Sequence, residues 1–407
     1  MSQTFNLRGL TIIVFSMYIF WGSFGVDITL HPAAERIPLH RVFMLLTALI
    51  ILSNAHQVFV ACLKNKMVIT LLLYVLLTAL WAGNPSVVYK NFLFLSSLLF
   101  ISIMTALAFA DKKVFLIRWL FWLFLLMTLA SIITAFYFPQ IGINTTTFGV
   151  PRWIGITAHP NGLGVQALAL IWLSSNLYFL SESKPEKKLI FFALIAAFFT
   201  IIQADSMTSL ITSVIITSYV CYYYLFRQLS LPIKFLLFTI FLLSFLFIVA
   251  SYISSSELTT TTLKSTGRDA TFTGRTVLWE KALTSAADQI IFGYGFDNLE
   301  QMTKKHHLEM SHLHNGYIQV LVQGGMIATL LLVVIFIKTF FSHFRIRSTH
   351  KYDFIFLHTG LILVLLHNIT ESSMLLGLSV LNIFTIFIIA STSLIANNKD
   401  KVSLTSQ

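Results

Sequence analysis

The chain concentrates imidazole side chains in one polar stretch, where four histidines fall within nine residues, namely His306, His307, His312 and His314. Imidazole is the side chain best suited to take a proton near neutral pH. His314 and Asn315 lie where this stretch gives way to an apolar run, at a predicted helix start whose free N–H groups favour an anion such as a diphosphate. We therefore predict that His314 can deprotonate an attacking hydroxyl beside a bound phosphate.

Two arginines in polar segments are candidates for holding such a phosphate. Arg275 follows Gly274 and precedes a predicted amphipathic helix, Val277 to Ile291. Arg152 lies in an earlier loop that ends in His159-Pro160-Asn161, where the proline favours a helix start. Guanidinium groups match phosphate oxygens well. The sequence thus predicts two basic, amide-rich segments, although Arg275 taken alone is better explained as a solvated loop arginine and the Arg152 loop taken alone as a well-marked helix start.

The histidine pairs also raise the question of a metal site. His306-His307 and His312-x-His314 have only Glu309 as a nearby acid, and neither cysteine is close. Zinc sites are usually completed by a cysteine or a well-spaced carboxylate. We therefore expect neither a metal nor another cofactor.

The elements that position these residues are predicted to be membrane helices. Of the 407 residues, 57% are hydrophobic and 11% are charged, and the mean hydropathy is +0.82. Soluble domains carry about 25% charged residues, so we predict an all-α, polytopic integral membrane protein. Twelve apolar runs are candidate spans: 10–28, 42–62, 67–82, 91–110, 114–138, 161–180, 189–204, 207–226, 233–252, 317–342, 354–370 and 374–396. The polar segment 203–209 is interpreted as a tight reversal, because a charge inside the bilayer is costly.

The lysines and arginines predict the orientation. With both termini in the cytoplasm, seventeen of the 27 lie on inner loops and flanks, and six of the remainder lie in the single long loop. The predicted organisation is spans one to nine over 1–252 with an outer loop near 139–160, a long outer loop over 253–316, and spans ten to twelve with a cytoplasmic tail over 317–407. The basic excess is thus explained by membrane anchoring, and no nucleic-acid partner is expected.

Several of these motifs together resemble the bacterial O-antigen ligase and O-antigen polymerase superfamily. The resemblance covers about residues 140–340 by motif. The residues that carry it are Gly274-Arg275-Thr276-x-Leu278-Trp279, Gly293-Tyr294-Gly295, His312-x-His314-Asn315-Gly316-Tyr317 with Gly325, and Arg152…Gly155…His159-Pro160-Asn161…Gly164.

The resemblance implies a GT-C-like membrane glycosyltransferase that works on the periplasmic face of the bacterial inner membrane. Its donor would be a glycan on undecaprenyl diphosphate, and its acceptor a lipid-linked or lipid A-core glycan. His314 and Arg275 would be catalytic. Substrate binding would involve Arg152, His159, Asn161, His312 and Asn315. Transfer would invert the anomeric carbon without a metal, among membrane lipids and with a chain-length regulator as an expected partner.

One feature departs from the family pattern, and two questions stay open. Met207 stands where the family commonly has a basic residue, so either Arg152 and Arg275 alone carry the phosphates or the correspondence there is shifted. The motifs favour a surface-polysaccharide polymerase over a ligase that transfers the finished chain to lipid A-core. A lipid-linked glycan flippase or transporter is the alternative from another class, and it would require charged residues within the spans.

Overall fold

A computed structural model describes residues 7–24, 39–145, 151–225, 229–230, 233, 273–307, 312–347, 351–375, 377 and 379–404. These residues are mostly helical, and a single two-stranded antiparallel pair occurs among them. The helices are α1 (Arg8–Phe24), α2 (Leu39–Ser53), α3 (Ala55–Lys64), α4 (Lys66–Leu77), α5 (Pro85–Ala108), α6 (Lys113–Tyr137), α7 (Pro139–Gly142), α8 (Pro160–Leu180), α9 (Lys184–Ala204), α10 (Met207–Leu225), α11 (Thr273–Ala286), α12 (Glu300–His306), α13 (Gly316–Arg347), α14 (Lys351–His367) and α15 (Val380–Leu404). The strands are β1 (Ile143–Asn144) and β2 (Arg152–Trp153).

Six of these helices are long and apolar enough to cross a membrane, namely α5, α6, α8, α9, α10 and α13. A seventh span results if α2 and α3 are counted together, although the chain bends by 98° between them. Three further apolar helical stretches are shorter, namely Arg8–Phe24, Lys66–Leu80 and Val380–Ala396. The prediction of an α-helical membrane protein is thus confirmed, whereas the count of twelve spans stays a prediction. Its ninth span, 233–252, lies almost entirely outside the described residues.

The centre of the helix bundle is α8, which is buried along most of its length. Its Trp172 stacks on Phe356 of α14 with ring centroids 4.4 Å apart, and the indole N–H donates to Thr359 Oγ1 at 3.0 Å. Large apolar side chains such as Phe191 and Phe192 of α9 are exposed on the outside of the bundle. Because hydrocarbon, unlike water, tolerates such a surface, this pattern agrees with a lipid-facing exterior.

The predicted reversal between α9 and α10 is confirmed. Helix α9 ends at Ala204, Asp205 takes a left-handed conformation with φ of 51°, and α10 begins at Met207. A short polar side chain is one of the few that adopt this conformation readily. The reversal therefore places the polar residues 205–209 at one end of the bundle, beside the loop that precedes α8.

The helix predicted over Val277 to Ile291 is placed partly wrongly. Helix α11 begins earlier, at Thr273, and ends at Ala286, after which a 3₁₀ turn covers Ala287–Gln289. Ala282 and Ala286 are buried as expected, but Ile290 is 38% exposed. The regular helix could not continue past this turn, because the carbonyl groups of Ile290 and Ile291 accept from Met326 and Ile327 of α13 instead of from the following turn.

The chain that follows α11 packs closely against α13, and a glycine on each side makes this contact possible. Gly325 has φ of 63° and interrupts the helical conformation of α13, and Gly293 has φ of 70°. A Cβ atom on Gly325 would lie 2.2 Å from the Ile291 carbonyl oxygen. Only glycine fits both the left-handed conformation and this close approach. The contact holds the chain from α11 to α12 at the same end of the bundle as the reversal.

Candidate active site

Four separate parts of the chain meet around one carboxylate, that of Glu371. The segment that carries it follows α14. Its side chain accepts hydrogen bonds from Asn161 Nδ2 at 2.6 Å and Arg275 Nη2 at 3.0 Å on Oε1, and it lies 3.2 Å from His314 Nδ1 through Oε2. Three residues that are far apart in the sequence thus contact the same carboxylate group. The arrangement brings together Asn161, Arg275 and His314, three of the residues that the sequence analysis proposed for the site.

The charge of Glu371 is stabilised by these partners. Burial by itself raises the pKa of the carboxyl group, but the hydrogen bond with His314 and the positive charge of Arg275 outweigh burial and leave the pKa below its usual value. The side chain is only 16% exposed. Since a buried carboxylate needs compensating donors, the three contacts explain how an anion is kept at this position.

The contact with Glu371 selects the tautomer of His314. An ionised carboxylate only accepts hydrogen bonds, so Nδ1 carries the proton and Nε2 keeps its lone pair. The His314 side chain is 38% exposed, more than that of Glu371. His314 can therefore accept a proton from a molecule arriving from outside, while Glu371 fixes the orientation of its ring.

Asn315 and Gly316 hold His314 in place. Asn315 Oδ1 accepts from the backbone N–H groups of Tyr317 and Ile318, both at 3.0 Å, and so caps α13. Its Nδ2 donates to the Ile369 carbonyl at 2.9 Å, and its backbone N–H donates to Ser372 Oγ at 2.9 Å. The predicted helix start beside His314 is confirmed. Asn315 acts on the loop rather than presenting its amide to open space, because it is buried.

Arg152 lies at the edge of the cluster and fastens two loops together. Its Nη2 donates to Asn161 Oδ1 at 3.1 Å and to the Asp205 carbonyl at 2.8 Å, and Nε donates to the Ala204 carbonyl at 3.1 Å. These carbonyls are at the end of α9, where cations are favoured. A guanidinium group, that of Arg152, thus lies at the reversal that precedes Met207.

His159 caps α8 through its side chain. Its Nδ1 accepts from the Asn161 backbone N–H at 3.1 Å. Burial, followed by the charge of Arg152, lowers the pKa of His159. The neutral ring is therefore favoured, and only the neutral ring can accept this hydrogen bond. His159 supports Asn161 and through it Glu371.

The remaining histidines of the cluster divide into two groups. The ring of His312 lies beside that of His314, with centroids 6.5 Å apart, and is exposed. His306 instead lies 2.8 Å from the Tyr294 hydroxyl through Nε2 and 3.6 Å from Asp288. The four histidines that are close together in the sequence therefore do not form one cluster in the structure. Glu309, considered above as a metal ligand, lies outside the described residues.

Sequence reasoning missed Glu371 and its neighbours. Arg275 Nη1 donates to the Thr370 carbonyl at 2.6 Å, and the Thr370 hydroxyl lies 2.6 Å from that of Thr208. The one signal for Glu371 in the sequence came from the predicted membrane topology. The predicted spans 354–370 and 374–396 leave Glu371 in a turn on the same face as His314, and a lone carboxylate there is a natural partner for a histidine and an arginine.

The bundle and this site define an α-helical membrane protein with a His, Arg and Glu cluster at one end. Residues 192–333 match a family model described as O-Antigen ligase. A stretch of 90 residues is 28% identical to the exopolysaccharide production protein ExoQ of Rhizobium meliloti (strain 1021) and covers 19% of this chain and 21% of that relative. These two matches, each over part of the chain, support the resemblance to the O-antigen ligase and O-antigen polymerase superfamily. The matched region contains Arg275, His312, His314 and Asn315.

Proposed function

We propose that the protein transfers a glycan from undecaprenyl diphosphate to a sugar hydroxyl on the periplasmic face of the inner membrane. The observation that carries this proposal is the His314–Glu371–Arg275 cluster, which combines a proton acceptor with a fixed guanidinium. The family match supports the class of reaction. The lysine and arginine distribution supports the orientation, with both termini in the cytoplasm and the cluster outside.

In the proposed reaction His314 Nε2 takes the proton of the acceptor hydroxyl. The freed oxygen attacks the anomeric carbon, and the bond from that carbon to the diphosphate oxygen breaks. The electron pair leaves with the diphosphate, so the anomeric carbon is inverted in one displacement. Arg275 stabilises the charge that develops on the leaving group, and such fixed charge is worth most in a partly dry site. As the resemblance implies, no metal takes part.

Glu371 positions both catalytic groups in this scheme. Its carboxylate keeps the His314 proton on Nδ1 and becomes the counter-charge when the ring is protonated, as the aspartate does in serine-protease triads. It also holds Arg275 through a bond at 3.0 Å. Asn161 orients the carboxylate, and Arg152 with His159 orients Asn161. His312, beside His314, completes the substrate side of the cluster, and Asn315 holds the loop that carries both histidines.

We favour a surface-polysaccharide polymerase, in which the acceptor is a second lipid-linked repeat unit. The naming of the Rhizobium meliloti relative as an exopolysaccharide production protein supports this choice. A ligase with lipid A-core as acceptor is the alternative within the same chemistry. A chain-length regulator is a proposed partner of the polymerase.

The test is an incubation of the purified protein, reconstituted in vesicles, with undecaprenyl-diphosphate-linked repeat units. We expect longer glycans and released undecaprenyl diphosphate in the presence of a chelator. Parallel vesicles with lipid A-core as acceptor distinguish the ligase, which would extend that acceptor instead. Movement of intact lipid-linked units across the bilayer without new glycosidic bonds would contradict the proposal and support a flippase.

A further inference from the structure

The chain between α11 and α12 carries an apolar patch of three consecutive residues, Ile290, Ile291 and Phe292. Their side chains are between 38% and 54% exposed. Contiguous exposed apolar patches mark contacts with another protein, with a ligand or with a membrane. The surroundings of the apolar patch distinguish between these kinds of contact.

The carbonyl groups of the apolar patch are all hydrogen-bonded within the protein. The first two accept from the backbone N–H groups of Met326 and Ile327 at 2.8 and 3.3 Å, and the third accepts from the Tyr74 hydroxyl at 3.0 Å. The carbonyl of the next residue, Gly293, accepts from the Trp81 indole N–H at 3.1 Å. Irregular backbone is tolerated at membrane depth only where protein groups satisfy it. Apolar side chains exposed on such a satisfied backbone are what a hydrocarbon environment requires.

The apolar patch lies at the level where the long straight part of α13 begins. Gly325 interrupts the helical conformation, and residues 326–347 continue α13 to its end. At a rise of about 1.5 Å per residue this part is roughly 33 Å long, which matches a hydrocarbon core of about 30 Å. Gly316, at the start of α13, contacts Asn368 near Glu371. The apolar patch is therefore at the boundary of the hydrocarbon on the side of Glu371.

The apolar patch also continues a surface that faces lipid. On α13 the side chains of Met326, Leu330 and Val333 are exposed and lie on one face of the helix, since they are four and three residues apart. On the other side Phe292 packs edge-on against Trp81, with ring centroids 5.8 Å apart. Tryptophan is enriched where a membrane meets water. The apolar patch thus joins an apolar stripe of a membrane helix to an interfacial aromatic residue.

We propose that the apolar patch inserts into the acyl chains of the membrane leaflet on the side of Glu371 and anchors the chain between α11 and α12 to the bilayer. The charged residues of this region, Asp288 and Lys305, are exposed and form an ion pair at 2.8 Å, so they stay on the water side. Because a single 3₁₀ turn connects the anchor to α11, it fixes the height of Arg275 above the membrane. The insertion does not depend on the proposed glycosyl transfer.

The test is the accessibility of a nitroxide label at Ile291→Cys. The full-length protein, with Cys62 and Cys221 replaced by alanine, is reconstituted in vesicles of phosphatidylcholine and phosphatidylglycerol. Electron paramagnetic resonance then measures collisions of the label with oxygen, which concentrates in hydrocarbon, and with a nickel chelate, which stays in water. We expect the ratio of oxygen to nickel collisions to approach that of a label at Leu330→Cys. Phe292→Cys should give the same result.

The matched control is a label at Lys304→Cys, on the exposed surface of α12. Its ratio of oxygen to nickel collisions should be lower than at Ile291→Cys, and unfolding temperatures close to that of the unlabelled protein show that each variant is folded. A ratio at Ile291→Cys equal to that at Lys304→Cys would place the patch in water and overturn the proposal. Low accessibility to both reagents would also overturn it, because a protein surface, from a second copy or from elsewhere in the chain, would then cover the patch.

Discussion

Two histidine networks in this protein use the same side chain under opposite conditions. His314 lies at the surface of one end of the bundle and contacts the carboxylate of Glu371, which Arg275 also contacts. His343 and His358 lie between α13 and α14, where both are buried. Their Nδ1 atoms are 3.3 Å apart, and His343 Nε2 lies 2.8 Å from the Thr392 hydroxyl.

The difference between the networks lies in the partners and in access. His358 is packed among Phe340, Phe344 and Phe354, with the Phe354 ring stacked at 5.1 Å. The hydrogen-bond partners found for this pair are the second histidine and the Thr392 hydroxyl, so neither ring contacts a carboxylate through these bonds. A histidine becomes chemically useful when a carboxylate fixes its tautomer and its second nitrogen is accessible. These differences support the proposed chemical role of His314 and favour a packing role for the pair.

The largest expected effect comes from His314→Ala. Loss of a general base reduces rate by about 10²–10⁴-fold, and we expect this reduction in glycan extension by purified protein in vesicles. The matched control is His358→Phe, which replaces a buried ring among aromatic rings and should keep most of the activity. Extension by His314→Ala within tenfold of the unaltered protein would break the comparison.

Glu371→Gln tests whether the carboxylate distinguishes the two networks. The amide keeps an acceptor for Asn161 and Arg275 but loses the charge that fixes the His314 tautomer, so turnover should fall by up to the roughly 10²–10⁴-fold that a general base contributes. Glu371→Asp should restore part of it. The pH–rate profile of the residual activity supplies the separate readout, because a purely structural role would lower activity without moving the profile.

Local features of the site could be predicted from the sequence, whereas its centre could not. The cap of α13 by Asn315 and the reversal at Asp205 depend on residues within a few positions, so short motifs contain their information. The meeting of His314 with Glu371 spans 57 positions and depends on how α13 and α14 pack. Glu371 also belongs to none of the quoted motifs. The Ile290 error has the same origin, since long-range contacts with α13 end the helical face early.

The pH dependence of stability should further distinguish the cluster around Glu371 from the buried histidine pair. The pKa of Glu371 is lowered in the folded protein, so its contribution is present above the unfolded pKa and lost as the pH falls through the folded value. The pKa of His159 is also lowered from 6.5, so the unfolded chain binds its proton first and stability falls as the pH drops below about 6.5.

The measurement is thermal unfolding in detergent between neutral and acidic pH. His159→Asn keeps a side-chain acceptor for the α8 cap but has no titrating group. Its unfolding temperature should fall less steeply below pH 6.5 than that of the unaltered protein. Parallel curves for the two proteins would show that protonation of His159 does not contribute to the loss.

The smallest expected effect belongs to the buried pair. His358→Phe leaves His343 Nδ1 without its partner, and hydrogen bonds between membrane helices contribute about 0.6 kcal/mol on average. Thr392→Val removes the partner on the other nitrogen of the same ring and should cost a similar amount. Each variant should lower the unfolding temperature slightly and leave glycan extension unchanged. A large loss of extension in Thr392→Val, with normal unfolding, would instead mean that the buried network communicates with the Glu371 site, and the division between a chemical and a packing histidine would have to be given up.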